Sequence, residues 1–414
     1  MHCDNIFHMT NTNTKTNKKH GAFLMPKGFD AGLHITMILL SLFGIAMVGS
    51  ASMGLSVGNN TYLLISLAKQ TIYVAAGFFA MTFLANHFKM SFLKSSAFSS
   101  LIILTCVLLL VCLAFRGYAG AKAWIIIPLG ITEVSVQPSE FAKIVAILIV
   151  AAYTADISKR FKSSFEMLKK PLFFLFFMIF IVAILQSDFG SAVVIFLISC
   201  VCFLIPNHPQ MRKFEIFLRV SFWIVVALAI FILSPYGEAI IESVPEYILK
   251  EYQKNRFISA IDPFKDRYGV GYQLIKGLVS FASGGFFGRG FGNSIQKYTD
   301  FPAANTDYIL AIIVEELGFV GFFILILLYG IIIFKLLSYS LKMKSEKGKV
   351  ILVGSAMYLL IHMFFNIGGV TGLIPLTGIP LLVVSAGGSS TMSFLACIGI
   401  CQAVISLYRT GELQ

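Results

Sequence analysis

The sequence predicts an all-α polytopic membrane protein, with about ten transmembrane helices and a large extracytoplasmic loop between helices 7 and 8. Three observations carry this. The chain is 57% hydrophobic and only 13% charged, about half the charge of a soluble domain. Apolar runs long enough to cross about 30 Å of hydrocarbon recur along its length. Lys and Arg collect in alternate short links between those runs, the pattern of cytoplasmic loops.

The N-terminal segment 1–32 is a polar tail (NTNTKTNKKH). No short apolar region with a small-residue cleavage site follows it, so the first run is expected to be a retained span. Candidate spans cover approximately 33–53, 62–85, 97–115, 139–157, 171–186, 190–206, 217–234, 306–336, 350–366 and 384–407. The fifth and sixth are short and hinge on QSDFG at 186–190. The transmembrane domain is thus expected over 33–408, with 409–414 a second tail. Basic links hold Lys15, Lys18, Lys19 and Lys27, then Lys89 and Lys94, then Lys159, Arg160, Lys162, Lys169 and Lys170. Arg212 and Lys213, then Lys342, Lys344, Lys347 and Lys349, continue the alternation. Both termini are therefore expected in the cytoplasm, and the links 116–138, 187–189, 235–305 and 367–383 outside. The net charge of +12 reports topology. There is no basic face interleaved with aromatics, and no nucleic-acid partner is expected. Of the seven cysteines all but Cys3 fall in apolar runs, where thiols act as small apolar fillers; no metal or disulfide is expected of them.

The long outer loop opens with Ile240, Ile241, Val244, Ile248 and Tyr252 at helical spacing, which predicts one amphipathic helix lying at the outer interface. The glycines of 284–292 follow, too flexible for a helix and too glycine-rich for a stable strand. They would let backbone approach a sugar or move as a flap, or they serve tight turns alone.

Charges in or beside apolar spans come next, because their burial is expensive and usually functional. These are Lys69, Glu140, Lys143, Asp188, Asp307, Glu315 and Glu316. Glu140 and Lys143 sit three residues apart and can pair on one helix face. Lys69–Gln70 reads as an interhelical hydrogen-bonding node, and His362 as a packing residue. In the outer loop Asp262 precedes Pro263, which is also plain turn chemistry. Asp266 lies between Lys265 and Arg267, an ionised carboxylate among cations at a membrane surface. That combination suits general-base activation of a hydroxyl beside a phosphate. Arg256, Lys265, Arg267, Arg289 and Lys297 are candidates to neutralise a pyrophosphate.

The stretch NIGGVTGLIPLTGIPLLVVSAGGSS, Asn366 to Ser390, resembles the signature of the FtsW/RodA/SpoVE (SEDS) family. GAKAWI with VQPSEFAK, QSDFGSA, DPFKDRYGVGYQ, GNSIQK and PAANTDYILAIIVEELGFVG follow the family order, so the resemblance covers approximately 33–408. GNSIQK at 292–297 is closer to the division-type FtsW branch than to the elongation-type RodA branch. Departures are Ala123 after Lys122, Ser187 in place of Pro, Lys276 after Gln273, and Leu382 for a frequent Pro.

The resemblance implies peptidoglycan glycosyltransfer, polymerising lipid II at the outer membrane face, with a lipid II flippase or an elongation-type polymerase as alternatives. It implies Asp266 as the essential carboxylate, and Glu140, Lys143, Arg256 and Gln273 as matched positions of importance. Lys122 and Arg267 join Arg256 and Lys143 as candidate cations for the leaving pyrophosphate, and a divalent cation, Mg or Mn, could assist. The implied partners are a class B penicillin-binding protein transpeptidase and other divisome proteins, since this chain has no S-x-x-K with a periplasmic domain of its own. The implied location is the bacterial inner membrane at the division septum.

Overall fold

The computed structural model describes residues 24–55, 60–117, 120–129, 132–156, 163–245 and 250–413. Lys15, Lys18, Lys19, Lys159, Arg160, Lys162 and Ile248 of the charge and helix readings lie outside the described residues. Thirteen α-helices and one β-hairpin make up the described chain. They run α1 (Ala31–Leu55), α2 (Asn60–His87), α3 (Ser96–Val111), β1 (Ile125–Leu129), β2 (Thr132–Val136), α4 (Pro138–Thr154) and α5 (Ser164–Phe180). Then come α6 (Phe189–Phe203), α7 (Arg212–Ile232), α8 (Pro235–Ser243), α9 (Glu251–Ile261), α10 (Tyr272–Gly284), α11 (Ile309–Lys342), α12 (Glu346–Thr371) and α13 (Gly388–Arg409).

The ten expected spans are present as α1 to α7 and α11 to α13. Eight are long and apolar enough to cross a membrane; α4, with 17 residues, and α6, with 15, are shorter. Their shortness follows from their place. The helix α4 is buried along nearly all of its length, walled by α3, α5, α6, α12 and α13. A helix surrounded by protein need not match the thickness of lipid by itself. At the opposite extreme α7 has no buried residue and carries its apolar side chains outward, as a helix bathed in lipid does.

Small residues set the tightest helix pairing. An added Cβ at Gly77 of α2 would lie 2.5 Å from Leu395 of α13, and one at Gly399 of α13 would lie 2.5 Å from the Met81 carbonyl oxygen. The two helices approach through these glycines. The helix α5 continues through a single π-helical turn, Ile181–Leu185, before the break at 186–188.

Three local features differ from the expectations. The first outer link folds into an antiparallel hairpin, pairing Ile125 with Val136 and Leu129 with Thr132; its β-branched runs IIIPL and TEVSV favour strands. The amphipathic helix is divided. The helix α8 stops at Ser243, and Val244 is extended (ψ 128°) because it precedes Pro245; Tyr252 belongs to α9. The glycine segment is neither flap nor free coil. An added Cβ at Gly284 would lie 2.0 Å from the Val314 carbonyl oxygen, and one at Gly288 (φ +77°) 2.2 Å from that of Glu316. The backbone they let approach is α11, not a sugar. The helix α11 answers with a kink at Gly318 (φ 66°, ψ −163°), where a side chain would strike Gly288 N at 2.3 Å. Backbone bonds from Arg289 to Glu315, Gly290 to Glu316 and Phe319 to Gly285, at 2.9–3.0 Å, stitch the two together.

At the end of the bundle away from the long loop, Asp30 closes the chain on itself. Its carboxylate accepts from Lys335 Nζ (2.8 Å), Tyr339 Oη (2.7 Å) and Arg409 Nη2 (3.1 Å). Its backbone exchanges two bonds with the Gln402 amide, at 2.8 and 2.9 Å.

Candidate active site

The end of the bundle carrying α8, α9, α10 and the hairpin gathers most of the candidate side chains. The segment DPFKDRYGVG leaves α9 and wraps on its own carboxylates. Asp262 accepts from Phe264 N (2.9 Å). Asp266 Oδ1 accepts from Gly269 N (2.9 Å), and Oδ2 from Val270 N (3.1 Å). Glycine is needed here: a Cβ at Gly269 would lie 2.1 Å from Asp266 Oδ2, and one at Gly271 1.9 Å from the Pro263 oxygen. The Asp266 carboxylate is therefore exposed yet fixed by two backbone N–H groups.

Its two neighbours part ways. Lys265 turns to α8, bonding Glu238 and lying 3.7 Å from Glu242; the Glu238 hydrogen bond pushes its ammonium pKa up. Arg267 stays with the loop and stacks over the Phe264 ring at 5.6 Å. Gln273, in the first turn of α10, donates to the Pro302 carbonyl (3.1 Å). Lys276 donates to Thr299 Oγ1 (3.0 Å), so both side chains tie α10 to the segment before α11.

Arg256 projects from α9 to a junction the sequence did not reveal. At Gly378 (φ +72°), in the link before α13, the Cβ position lies 3.7 Å from Asp307 Oδ2 and 3.8 Å from Arg256 Nη1. A glycine thus lets an acid and a base from two other segments converge on one point. Asn366 Nδ2 holds the place, donating to the Asp307 carbonyl (2.9 Å) and to that of Ile379 (3.0 Å). Burial pushes the Asp307 carboxyl up to about 6, with the Arg256 charge pulling the other way.

Lys122 is exposed at the foot of the hairpin. Its backbone N–H donates to Gln186 O (2.9 Å), and Gln186 Nε2 in turn to Leu109 O (2.6 Å). Lys250 reaches the same turn, donating to Ser187 Oγ (3.1 Å). Asp188 caps α6 by accepting from Ser191 N (3.0 Å) and takes the Gln137 amide (2.9 Å). Lys69 donates to the Glu133 carbonyl of the hairpin (3.0 Å), and Gln70 to that of Ser385 (3.3 Å).

Glu140 and Lys143 stand apart from this open face. Both are buried in the first turns of α4, joined at 2.6 Å. Lys143 Nζ also meets His362 Nε2 (3.0 Å), and Glu140 Oε2 accepts from Tyr358 Oη (2.9 Å). Neither side chain opens to solvent in this structure.

Lys297 is a correction. It was a candidate for pyrophosphate, but it is fully buried and paired with Glu316 at 2.7 Å. Ser50 of α1 and the N–H groups of Gly292 (3.0 Å) and Ser294 (3.4 Å) also donate to Glu316. Glu315 takes Ser294 Oγ and the Ile295 N–H (3.0 Å). The stretch GNSIQK is spent on seating the loop against two carboxylates of α11. Among the described residues no three His, Cys, Asp or Glu side chains converge as a metal would require.

What fold and face define together is a multi-pass membrane protein with a polar, cation-rich site at one end of its helical bundle. Residues 31–409 match the family described as cell cycle protein, FtsW/RodA/SpoVE, and the chain belongs to that family. It is 33% identical over 394 residues to a probable peptidoglycan glycosyltransferase FtsW of Bacillus subtilis (strain 168), covering 94% of this chain and 93% of that one. A protein of the same name from Haemophilus influenzae is 31% identical, over 97% and 98%. Stage V sporulation protein E of Bacillus subtilis is 30% identical, over 88% and 93%. In fold the chain resembles a solved peptidoglycan synthase complex, whose study concerns coordination of polymerization and crosslinking (TM-score 0.69, 23% identity, 91% and 97% covered). It also resembles the rod shape determining protein RodA of Thermus thermophilus (TM-score 0.61, 21% identity, 92% and 97% covered).

Proposed function

We infer that this chain is a peptidoglycan glycosyltransferase that polymerises lipid II at the outer face of the inner membrane, at the division septum. The observation that carries the reading is Asp266, an exposed carboxylate held rigidly by two backbone N–H groups. A general base must be fixed and reachable at once. Asp266 accepts the proton of the GlcNAc 4-hydroxyl of an acceptor lipid II. The freed oxygen bonds to the anomeric carbon of the donor chain's MurNAc, the bond from that carbon to the pyrophosphate oxygen breaks, and undecaprenyl pyrophosphate leaves with inversion. Charge grows on the leaving group, and preplaced cations lower the barrier. Arg256, Lys122 and Arg267 lie at this end of the bundle for that task, with Gln273 placing α10. Lys143, buried in its ion pair with Glu140, is not among the cations that this face presents. A divalent cation, Mg or Mn, would add positive charge at the leaving pyrophosphate.

The flippase alternative requires charges strung through the bundle as a path. The buried charges Glu140, Lys143, Glu316 and Lys297 are instead paired with one another, which supports surface chemistry. The division role rests on the relatives named FtsW. A class B transpeptidase and other divisome proteins are the proposed partners.

The test is polymerisation of lipid II by purified Asp266→Asn. The variant keeps the turn, because an amide oxygen still accepts from one N–H. It is expected to bind lipid II with parent affinity and to polymerise about 10²- to 10⁴-fold more slowly. Polymer formed at the parent rate would refute the assignment.

A further inference from the structure

His362 has no part in the scheme above, and it lies in the core with none of its surface exposed. Its hydrogen bonds are informative. The Lys143 ammonium has only protons to offer, so at 3.0 Å from His362 Nε2 it donates and that nitrogen accepts. The ring proton then sits on Nδ1, which donates to the Pro380 carbonyl at 3.1 Å. One imidazole thus links the Glu140–Lys143 pair of α4 to the link that precedes α13. Four residues along α12 from His362, Asn366 holds Ile379 O of the same link and the Asp307 carbonyl. Gly378, next in line, is the point where Arg256 and Asp307 converge. Two successive residues, Ile379 and Pro380, are therefore held from α12, beside the glycine that Arg256 and Asp307 approach, and His362 supplies the hold that leads to Lys143.

We propose that His362 is a positioning residue for glycosyl transfer, orienting the Lys143 ammonium and registering it with the link that bears Gly378. The proposal rests on the glycosyltransferase reading for its kinetic consequence, though not for the contact itself. A side chain that keeps an acceptor toward Lys143 should preserve function. One of equal bulk without polar atoms should not.

The experiment compares His362→Gln, His362→Leu and His362→Asn. Gln places an amide oxygen at the reach of Nε2 and keeps a donor for Pro380. Leu fills the space with neither, and Asn is too short to meet Lys143. Lipid II polymerisation by His362→Leu and His362→Asn is expected to lose about 10-fold or more in kcat with KM changed less than about 2-fold, as when an interaction that matters in the transition state goes. His362→Gln should stay within about 3-fold of the parent. Parent kcat in a folded Leu or Asn variant, or a Gln variant as slow as Leu, overturns the proposal. Should the parent itself not polymerise, the functional reading fails instead, and the contact is still tested by melting. Tm shifts of His362→Leu and Lys143→Met that add in the double variant overturn it; a double variant less destabilised than the sum supports it.

Discussion

Two acids at this end of the bundle have different environments. Asp266 is exposed and fixed by backbone N–H groups; Asp307 is half-buried beside Arg256. With its carboxyl raised to about 6 from an ordinary 3.8, the folded protein holds a proton there that the unfolded chain has released. Stability contributed by that proton is full below about pH 4 and is lost as pH rises through 6. Asp307→Asn removes the ionisation. Melting curves of the parent should fall between pH 4 and 6 by on the order of 1–2 kcal/mol, discounted for partial exposure, while the variant stays flat across that window. The polymerisation profile should lose an inflection near pH 6 in the same variant. A parent profile without that inflection would show Asp307 to be silent in the reaction. Asp307 was visible in the sequence as a charge beside a span. Arg256 was visible as a candidate cation, but its place beside Asp307 was not, because nothing in local spacing says that a glycine in a third segment brings the two together.

At the scale of elements, the spans were legible because hydrocarbon demands long apolar runs and charge marks their ends. The divided amphipathic helix was missed because periodicity was read across Pro245, whose effect on Val244 ends the helix. The glycine segment stayed open between readings for a deeper reason: Gly permits both mobility and close approach, and only the neighbouring backbone decides between them. Here the neighbour is the kink of α11. Gly288→Ala would drive a Cβ to 2.2 Å from the Glu316 oxygen, at φ +77°, and a backbone atom cannot swing aside as a flexible side chain can. Gly292→Ala is the control, since nothing lies within 4 Å of its Cβ position although φ is +81°. Differential scanning in detergent should show Gly288→Ala less stable by about 3 kcal/mol or more, and Gly292→Ala by about 1–2 kcal/mol from strain alone. Equal losses would mean that the loop is loose against α11.

On the scale of the whole molecule, a bundle whose first and last spans are far apart in sequence needs something to hold its ends. The Asp30 clasp joins the start of α1 to α11 and α13, and no local motif announces it; its partners are 305 to 379 residues away. Although burial pushes the Asp30 carboxyl up, hydrogen bonds from Lys335 and Tyr339 hold it below its ordinary value of 3.8. The clasp's stability is therefore present above about pH 4 and is lost as pH falls through the lower folded value. Asp30→Ala should remove it at every pH. Lys335 and Arg409 keep part of their surface in water, with side-chain exposures of 28% and 41%. They can rehydrate when the carboxylate goes, so the cost should be nearer 1–2 kcal/mol than the 3–5 kcal/mol of an orphaned buried charge. Because the clasp and the polymerising face sit at opposite ends, Asp30→Ala should lower Tm while leaving kcat for lipid II within about 2-fold of the parent. A variant that melts normally would show the ends to be held by the helix packing of α2 against α13 alone. One that melts early and also loses kcat would show that the two ends of the bundle are mechanically coupled.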